Sequence, residues 1–300
     1  SCQFKMLDRF PLDIVQILLG LLGIVDKRTL ILIGNRTLNR KMQIVPVEIE
    51  FGKKHQTQYW FLFKFYKNVK AVLFTTAHRK ILALLPQTVE KLTVGMRTAI
   101  MSYDYYSIQP LPNSLTSLTM NEIPFRAEHA EALPKTLTYL RTFAECKTTK
   151  EFCDFSSHLP QLLSFRFYSQ YTMGLNGECA LSLPKSLTSL ESFTNGGADD
   201  EFISNLRSAV ENIALRFERP VSLMNLPPNV TSLKIYKSAN WETSWTSDMI
   251  PSTVRVLFID GNLELRLQEI EEFAIRFNKI SIKNKETEKL ILEAKERLSK

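Results

Sequence analysis

The chain is poor in the residues from which most enzyme sites are built. Its 300 residues hold 10 Gly, 4 Cys, 4 His and 3 Trp. So few glycines leave little for loops that cradle phosphate. None of the patterns G-x-x-x-x-G-K-S/T, G-x-S-x-G, H-E-x-x-H or G-x-G-x-x-G occurs. The histidines, His55, His78, His129 and His158, are scattered. Four cysteines, Cys2, Cys146, Cys153 and Cys179, are too few for a disulfide scaffold at this length and fit a reducing compartment. The spacing of Cys146, Cys153, His158 and Cys179 matches no tight zinc knuckle. They read instead as small buried residues. Cys153 is a nucleophile only if a histidine approaches it in space. The expectation is a chain with no intrinsic catalysis, no cofactor and no metal.

Long apolar runs and polybasic runs are also missing. The stretch Ile14–Val25 falls short of the ~20 residues that cross a bilayer. No small-x-small cleavage site closes it, so it reads as a buried helix rather than a signal segment. The net charge of +7 and the pI near 9.1 are below the density of a dedicated nucleic-acid binder. A basic array binding nucleic acid or an acidic membrane surface is the weaker reading, and strong salt dependence would mark it. The expected location is cytoplasmic or nuclear, with no membrane partner.

What the chain does have is one spacing, h-x-x-h-x-h with h apolar, that recurs every 20–26 residues. Units begin at Ile44, Val69, Val89, Leu115, Leu137, Leu162, Leu187, Val210, Val230, Val254 and Phe277. Pro86, Pro112, Pro134, Pro184, Pro227 and Pro251 each stand three residues before a unit. A period of this kind built on L-x-x-L-x-L is the signature of a leucine-rich-repeat solenoid. The clearest units read Leu-Pro-x-Ser/Thr/Asn-h: the residue before Pro is extended, Pro ends what precedes it, Ser/Thr/Asn favours the turn, and a short strand follows. Irregularities are visible. The unit after Pro160 is one residue short, Thr142 and Ser192 occupy apolar positions, and the Val210 unit lacks its Pro. An asparagine three places past the last h, usual in such repeats, is found only at Asn195 and Asn262. Asp199–Ala209 reads as helical. Asn284–Lys300 reads as an amphipathic helix that closes the array, with Glu286/Leu290 and Glu293/Arg297 at i,i+4 spacing.

Strand alternation names the side chains of the concave face. Between the second and third h stand Thr93, Thr119, Arg141, Arg166, Glu191, Ala214, Lys234 and Phe258. Just after the third h stand Gly95, Asn121, Phe143, Tyr168, Phe193, Arg216, Tyr236 and Asp260. Aromatics and Arg are the residues enriched at binding hot spots. Arg141, Phe143, Arg166, Tyr168, Phe193, Arg216, Lys234 and Tyr236 are therefore the candidate partner-binding set. An acidic or phosphorylated protein segment is the expected ligand. The opposing reading turns the last column inward and makes its aromatics core.

Before the repeats, Phe10-Pro11-Leu12-Asp13-Ile14-Val15, Leu18-Leu19 and Leu22 resemble the opening of an F-box, L-P-x-E-I-L-x-x-I-L-x-x-L. Phe10 replaces its usual Leu, and Leu38 stands where the family often has an aromatic. The resemblance implies docking on the Skp adaptor of a Skp–cullin–F-box ubiquitin ligase, and through it a cullin. Phe10, Pro11, Ile14, Val15, Leu18, Leu19 and Leu22 would lie at that interface. The repeats resemble the FNIP subclass, most closely at Phe217-Glu-Arg-Pro220-Val221 followed by Leu226-Pro-Pro-Asn-Val230-Thr-Ser-Leu233. The whole reads as an α/β protein: an F-box-like helical module at 1–43, an irregular repeat solenoid with a parallel concave sheet at 44–283, and a capping helix at 284–300. The alternative is an interaction scaffold in which the N-terminal helices only cap the array.

Overall fold

The computed structural model describes residues 47–51, 68–74, 84–95, 111–169, 171–218, 221–237, 249–260, 267–282 and 285–299. Its contacts form two compact units. One runs to Phe125 and takes in Glu131–Thr142; the other takes in Arg126–Ala130 and Phe143–Lys300.

The first unit carries β1 (Val47–Phe51), β2 (Val69–Phe74), β3 (Lys91–Val94) and most of β4 (Ser117–Arg126), paired in chain order and all parallel. The division falls within β5 (Tyr139–Glu145). The second unit carries β6 (Ser164–Ser169), β7 (Ser189–Thr194), β8 (Asn212–Phe217), β9 (Ser232–Lys237), β10 (Val256–Asp260) and β11 (Lys279–Ile282), again parallel and in order. Among the described residues five α-helices lie between or after these strands: α1 (Thr149–Ser157), α2 (Gly177–Ser182), α3 (Asp200–Asn205), α4 (Leu267–Arg276) and α5 (Lys285–Leu298). This is an α/β repeat architecture.

The apolar spacing is the core. In every unit from Val69 to Phe277 all three h positions are buried, Thr142 and Ser192 included. On the helix side of β6, Phe152 and Phe155 of α1 pack against Phe165 and Phe167, with Phe152 and Phe167 edge-to-face at 5.0 Å. Thr142 and Ser192 carry hydroxyls without a hydrogen-bond partner among the described residues. Ile44 lies outside the described residues, but β1 places Ile49 opposite Val72.

The Leu-Pro-x-Ser/Thr segment is a turn. The first h donates its N–H to the carbonyl three residues back, as Leu187 does to Pro184 at 3.1 Å and Val230 to Pro227 at 3.0 Å. The preceding residue is extended as a following Pro requires: ψ is 146° at Leu183 and 148° at Leu226. The two irregular units obey the same geometry. Leu162 bonds Leu159, so Leu159 holds the first turn position and Pro160 the second, where its fixed dihedral suits a turn. The unit is therefore not short; its proline has moved one place. Val210 bonds Arg207, which stands in for the missing Pro. That turn also ends α3 at Asn205, so the helix expected to reach Ala209 stops four residues earlier.

Adjacent repeats are stitched at this turn. The carbonyl just after the first h accepts two backbone N–H groups from the next repeat: Thr188 and Ser189 reach Leu163, Glu211 and Asn212 reach Thr188, Thr231 and Ser232 reach Glu211. Side chains add a second seam. The hydroxyl before the first h donates back to the preceding repeat: Ser114 to Val89 at 2.7 Å, Thr136 to Leu115 at 2.8 Å, Ser186 to Leu162 at 2.9 Å. Asn229 supplies its amide to Ser208, and Arg276 its guanidinium to Ile250 and Pro251. Thr253 is the exception, its hydroxyl having no partner among the described residues. A hydroxyl seam does here what an asparagine ladder does elsewhere.

At the far end α5 packs on α4 and β11. Lys295 Nζ donates to the carbonyls of Phe277 and, at 3.2 Å, Asn278, and Glu288 accepts the Ile282 N–H at 3.4 Å. Asn278 O is the acceptor that the next repeat would have used.

Ser186→Ala should lower stability by about 1 kcal/mol, while Thr253→Ala should leave the seam unaffected; paired denaturant titrations check the contrast. Lys295→Met keeps the aliphatic stem but removes the charged donor. A loss of about 1.5–3 kcal/mol is expected in the same assay.

Candidate functional site

Register decides which side chains share the sheet face turned away from the helices in the second unit. Arg166, Glu191, Ala214, Lys234, Phe258 and Ser281 form one row across β6–β11, each opposite the next. One pleat further along, Tyr168 stands opposite Phe193, and Tyr236 stands between Arg216 and Asp260. All of these except Ala214 are half-buried. The aromatics are thus neither core nor fully exposed: they lie on the outward face and cover one another.

The rings form a continuous line. Tyr168 and Phe193 stack with centroids 5.0 Å apart and planes 2° from parallel. Phe193 meets Tyr236 at 4.2 Å, and Tyr236 meets Phe258 at 5.5 Å. Phe193 and Tyr236 belong to strands separated by β8, yet they touch. Ala214 of β8, in the row of Glu191 and Lys234, raises only a methyl from the sheet, and at 5 % exposure it is buried on a face where its neighbours are not. Arg216, also on β8, turns aside. Its Nη1 donates to Asn195 Oδ1 at 3.0 Å, and its Nε lies 2.9 Å from Glu218 Oε1, an ion pair without hydrogen-bond alignment.

The charges on this face are largely answered from within. Glu191 Oε1 accepts a hydrogen bond from Tyr168 Oη at 2.6 Å, and its Oε2 lies 3.3 Å from Arg166 Nε. This holds the Tyr168 ring flat against Phe193. Burial, with the carboxylates of Glu191 and Asp260 nearby, pushes the Tyr236 phenol above its ordinary range, against the smaller pull of Arg166.

Of the candidate partner-binding residues, Arg166, Tyr168, Phe193, Arg216, Lys234 and Tyr236 lie together on this face. Phe143, on β5, is half-buried in the same unit, and Arg141 belongs to the first unit. Phe258 joins the line although it was placed in the other column by the sequence. Glu191 was placed on this face by the sequence but not in the binding set, and Glu218 was not named; strand register brings Glu191 to Arg166, whereas Glu218 meets Arg216 from just past the end of the same strand. The adaptor-docking candidates Phe10, Pro11, Ile14, Val15, Leu18, Leu19 and Leu22 lie outside the described residues.

Burial raises the Cys146 and Cys179 thiols to about 12, so both are protonated at neutral pH and poor nucleophiles. Among the described residues no group of three or more His, Cys, Asp or Glu could hold a metal ion. No described helix is long and apolar enough to cross a membrane.

The Tyr236 shift fixes a sign. A phenol whose folded value lies above its unfolded one favours the neutral form. Its stabilisation is present below pH ~10 and is lost as pH rises through the higher folded value. Stability of the wild type should therefore fall more steeply above pH 10 than that of Tyr236→Phe, as followed by denaturant titrations from pH 8 to 11.

No family model matches the chain, and no curated protein matches it. Among solved structures the chain is similar to the crystal structure of CroV588, described as a novel circular LRR protein. The match has 21 % identity and a TM-score of 0.45, over 67 % of this chain and 28 % of that one. This chain thus spans little more than a quarter of its structural neighbour.

Proposed function

We propose that this chain is a non-catalytic recognition subunit. The outward face of β6–β10 binds a protein partner, and the F-box-like segment Phe10–Leu22 delivers that partner to a Skp–cullin–F-box ubiquitin ligase. The observation that carries the binding half is the line Tyr168–Phe193–Tyr236–Phe258. Four half-buried rings in contact, ordered by stacking and by the Tyr168–Glu191 hydrogen bond, expose apolar area at low entropic cost. The ligase half rests on the resemblance of residues 10–22 alone. The Leu-Pro-x-Ser/Thr turns, whose hydroxyls seam the repeats, support FNIP-like repeats as the receptor part.

The test is co-expression of the full chain with a Skp-type adaptor, beside an Ile14→Asp, Leu18→Asp variant. Stoichiometric capture by the wild type and its loss in the variant, with unchanged circular dichroism, is the expected outcome. Failure of a folded wild type to capture the adaptor would remove the ligase half and leave a recognition scaffold.

A further inference from the structure

The charges on the aromatic face are distributed unevenly, and the asymmetry bears on what can sit there. Arg166 and Arg216 look like phosphate readers in sequence. In the fold each has a carboxylate at its guanidinium, Glu191 at 3.3 Å and Glu218 at 2.9 Å. A phosphate brought to either arginine would meet that carboxylate within the same contact distance. It would also lose the open guanidinium fork that makes arginine a bidentate phosphate ligand. Glu191 is further fixed by the Tyr168 hydroxyl, so it cannot swing aside without giving up that hydrogen bond.

Lys234 differs. Its neighbours in register are Ala214 and Phe258, neither of which carries charge. No ion pair engages it among the described residues. Asp260 stands one row further, opposite Tyr236. Lys234 therefore stands in register between Ala214 and Phe258, two residues before Tyr236 on the same strand, and carries a charge with no ion pair among the described residues. An ammonium is a compact point charge that needs no planar fork and pairs readily with a single carboxylate.

The extent of the line constrains the shape of its occupant. Strands lie ~4.8 Å apart, so β6 to β10 spans about 19 Å. An extended segment rising ~3.3 Å per residue covers that distance with about six residues.

Building on the recognition surface proposed above, we infer that its ligand is an extended, unphosphorylated acidic segment. The segment lays aromatic or apolar side chains on the Tyr168–Phe258 line and places one carboxylate on Lys234. Lys234 is the residue that reads charge; Arg166, through Glu191, helps hold the Tyr168 ring, and Arg216 is engaged by Asn195 and Glu218. The net charge of +7 favours approach of such a segment.

The probe is a set of three fluorescent ten-residue peptide pools with aromatic or aliphatic residues at alternate positions. The pools differ at the remaining positions, which are Asp/Glu, phosphoserine or Lys. Binding to the full chain is followed by fluorescence anisotropy. The Asp/Glu pool should bind at least tenfold more tightly than the Lys pool and no more weakly than the phosphoserine pool. Lys234→Glu, folded by circular dichroism, should reverse the preference toward the Lys pool, an effect that mere loss of packing would not produce. Tighter binding of the phosphoserine pool, or an unchanged preference in Lys234→Glu, overturns the assignment. If Tyr236→Ala then still abolishes binding, the recognition surface stands without it. If no pool binds the wild type, or Tyr236→Ala binds as well as wild type, the surface falls and the assignment with it.

Discussion

The register of the repeats depends on one recurring acceptor, the carbonyl that follows the first apolar position of the turn. Glu90, Thr116, Leu163, Thr188, Glu211, Thr231 and Arg255 each accept two consecutive backbone N–H groups from the following repeat. At three of these the next repeat adds a hydroxyl: Thr116 to Glu90, Thr138 to Thr116 and Thr188 to Leu163. A three-centre acceptor tolerates no slip. A shift by one residue would turn every side chain of the strand to the opposite face and expose an apolar column. The stitch therefore fixes register, and register fixes which side chains meet.

The surface follows from that constraint. Because Glu191 must lie beside Arg166, and Tyr168 beside Phe193, the ion pair and the stacked rings assemble without any loop having to find its place. Arg216, which faces Tyr236 from β8, leaves the line open by turning to Asn195 and Glu218, so Phe193 and Tyr236 meet across the strand. The arrangement is rigid because it is built on strands rather than loops, which lowers the entropy lost when a partner orders it.

The turn-and-strand repeat was open to reading because its burial is periodic. The h-x-x-h-x-h positions are core in unit after unit, including the Val69 unit. The places where reading along the chain faltered share one cause. Pro160 and Arg207 look like defects in a pattern of residues but are ordinary members of a pattern of hydrogen bonds, in which the carbonyl matters and the side chain does not. Ser114, Thr136 and Ser186 were recognisable as turn formers, yet their reach to the previous repeat depends on partners 21–25 residues away. The pairing of Arg166 with Glu191 was hidden for the same reason. One strand shows a basic residue and the next an acidic one, and only lateral alignment makes them an ion pair instead of a phosphate site. The F-box-like resemblance rests on Phe10–Leu22, which lie outside the described residues.

The last strand of a parallel sheet normally presents a bare edge, and a bare edge is a template on which another chain can add a strand. Here α5 meets that edge with opposite charges. Lys295 occupies the Asn278 carbonyl and Glu288 the Ile282 amide, one at each end of β11. An incoming strand would have to displace an ammonium and a carboxylate before its first backbone bond could form. The helix thus insulates the array against edge-to-edge aggregation. It does so with two side chains seven residues apart, about two turns along α5, in addition to the packing of the helix on β11.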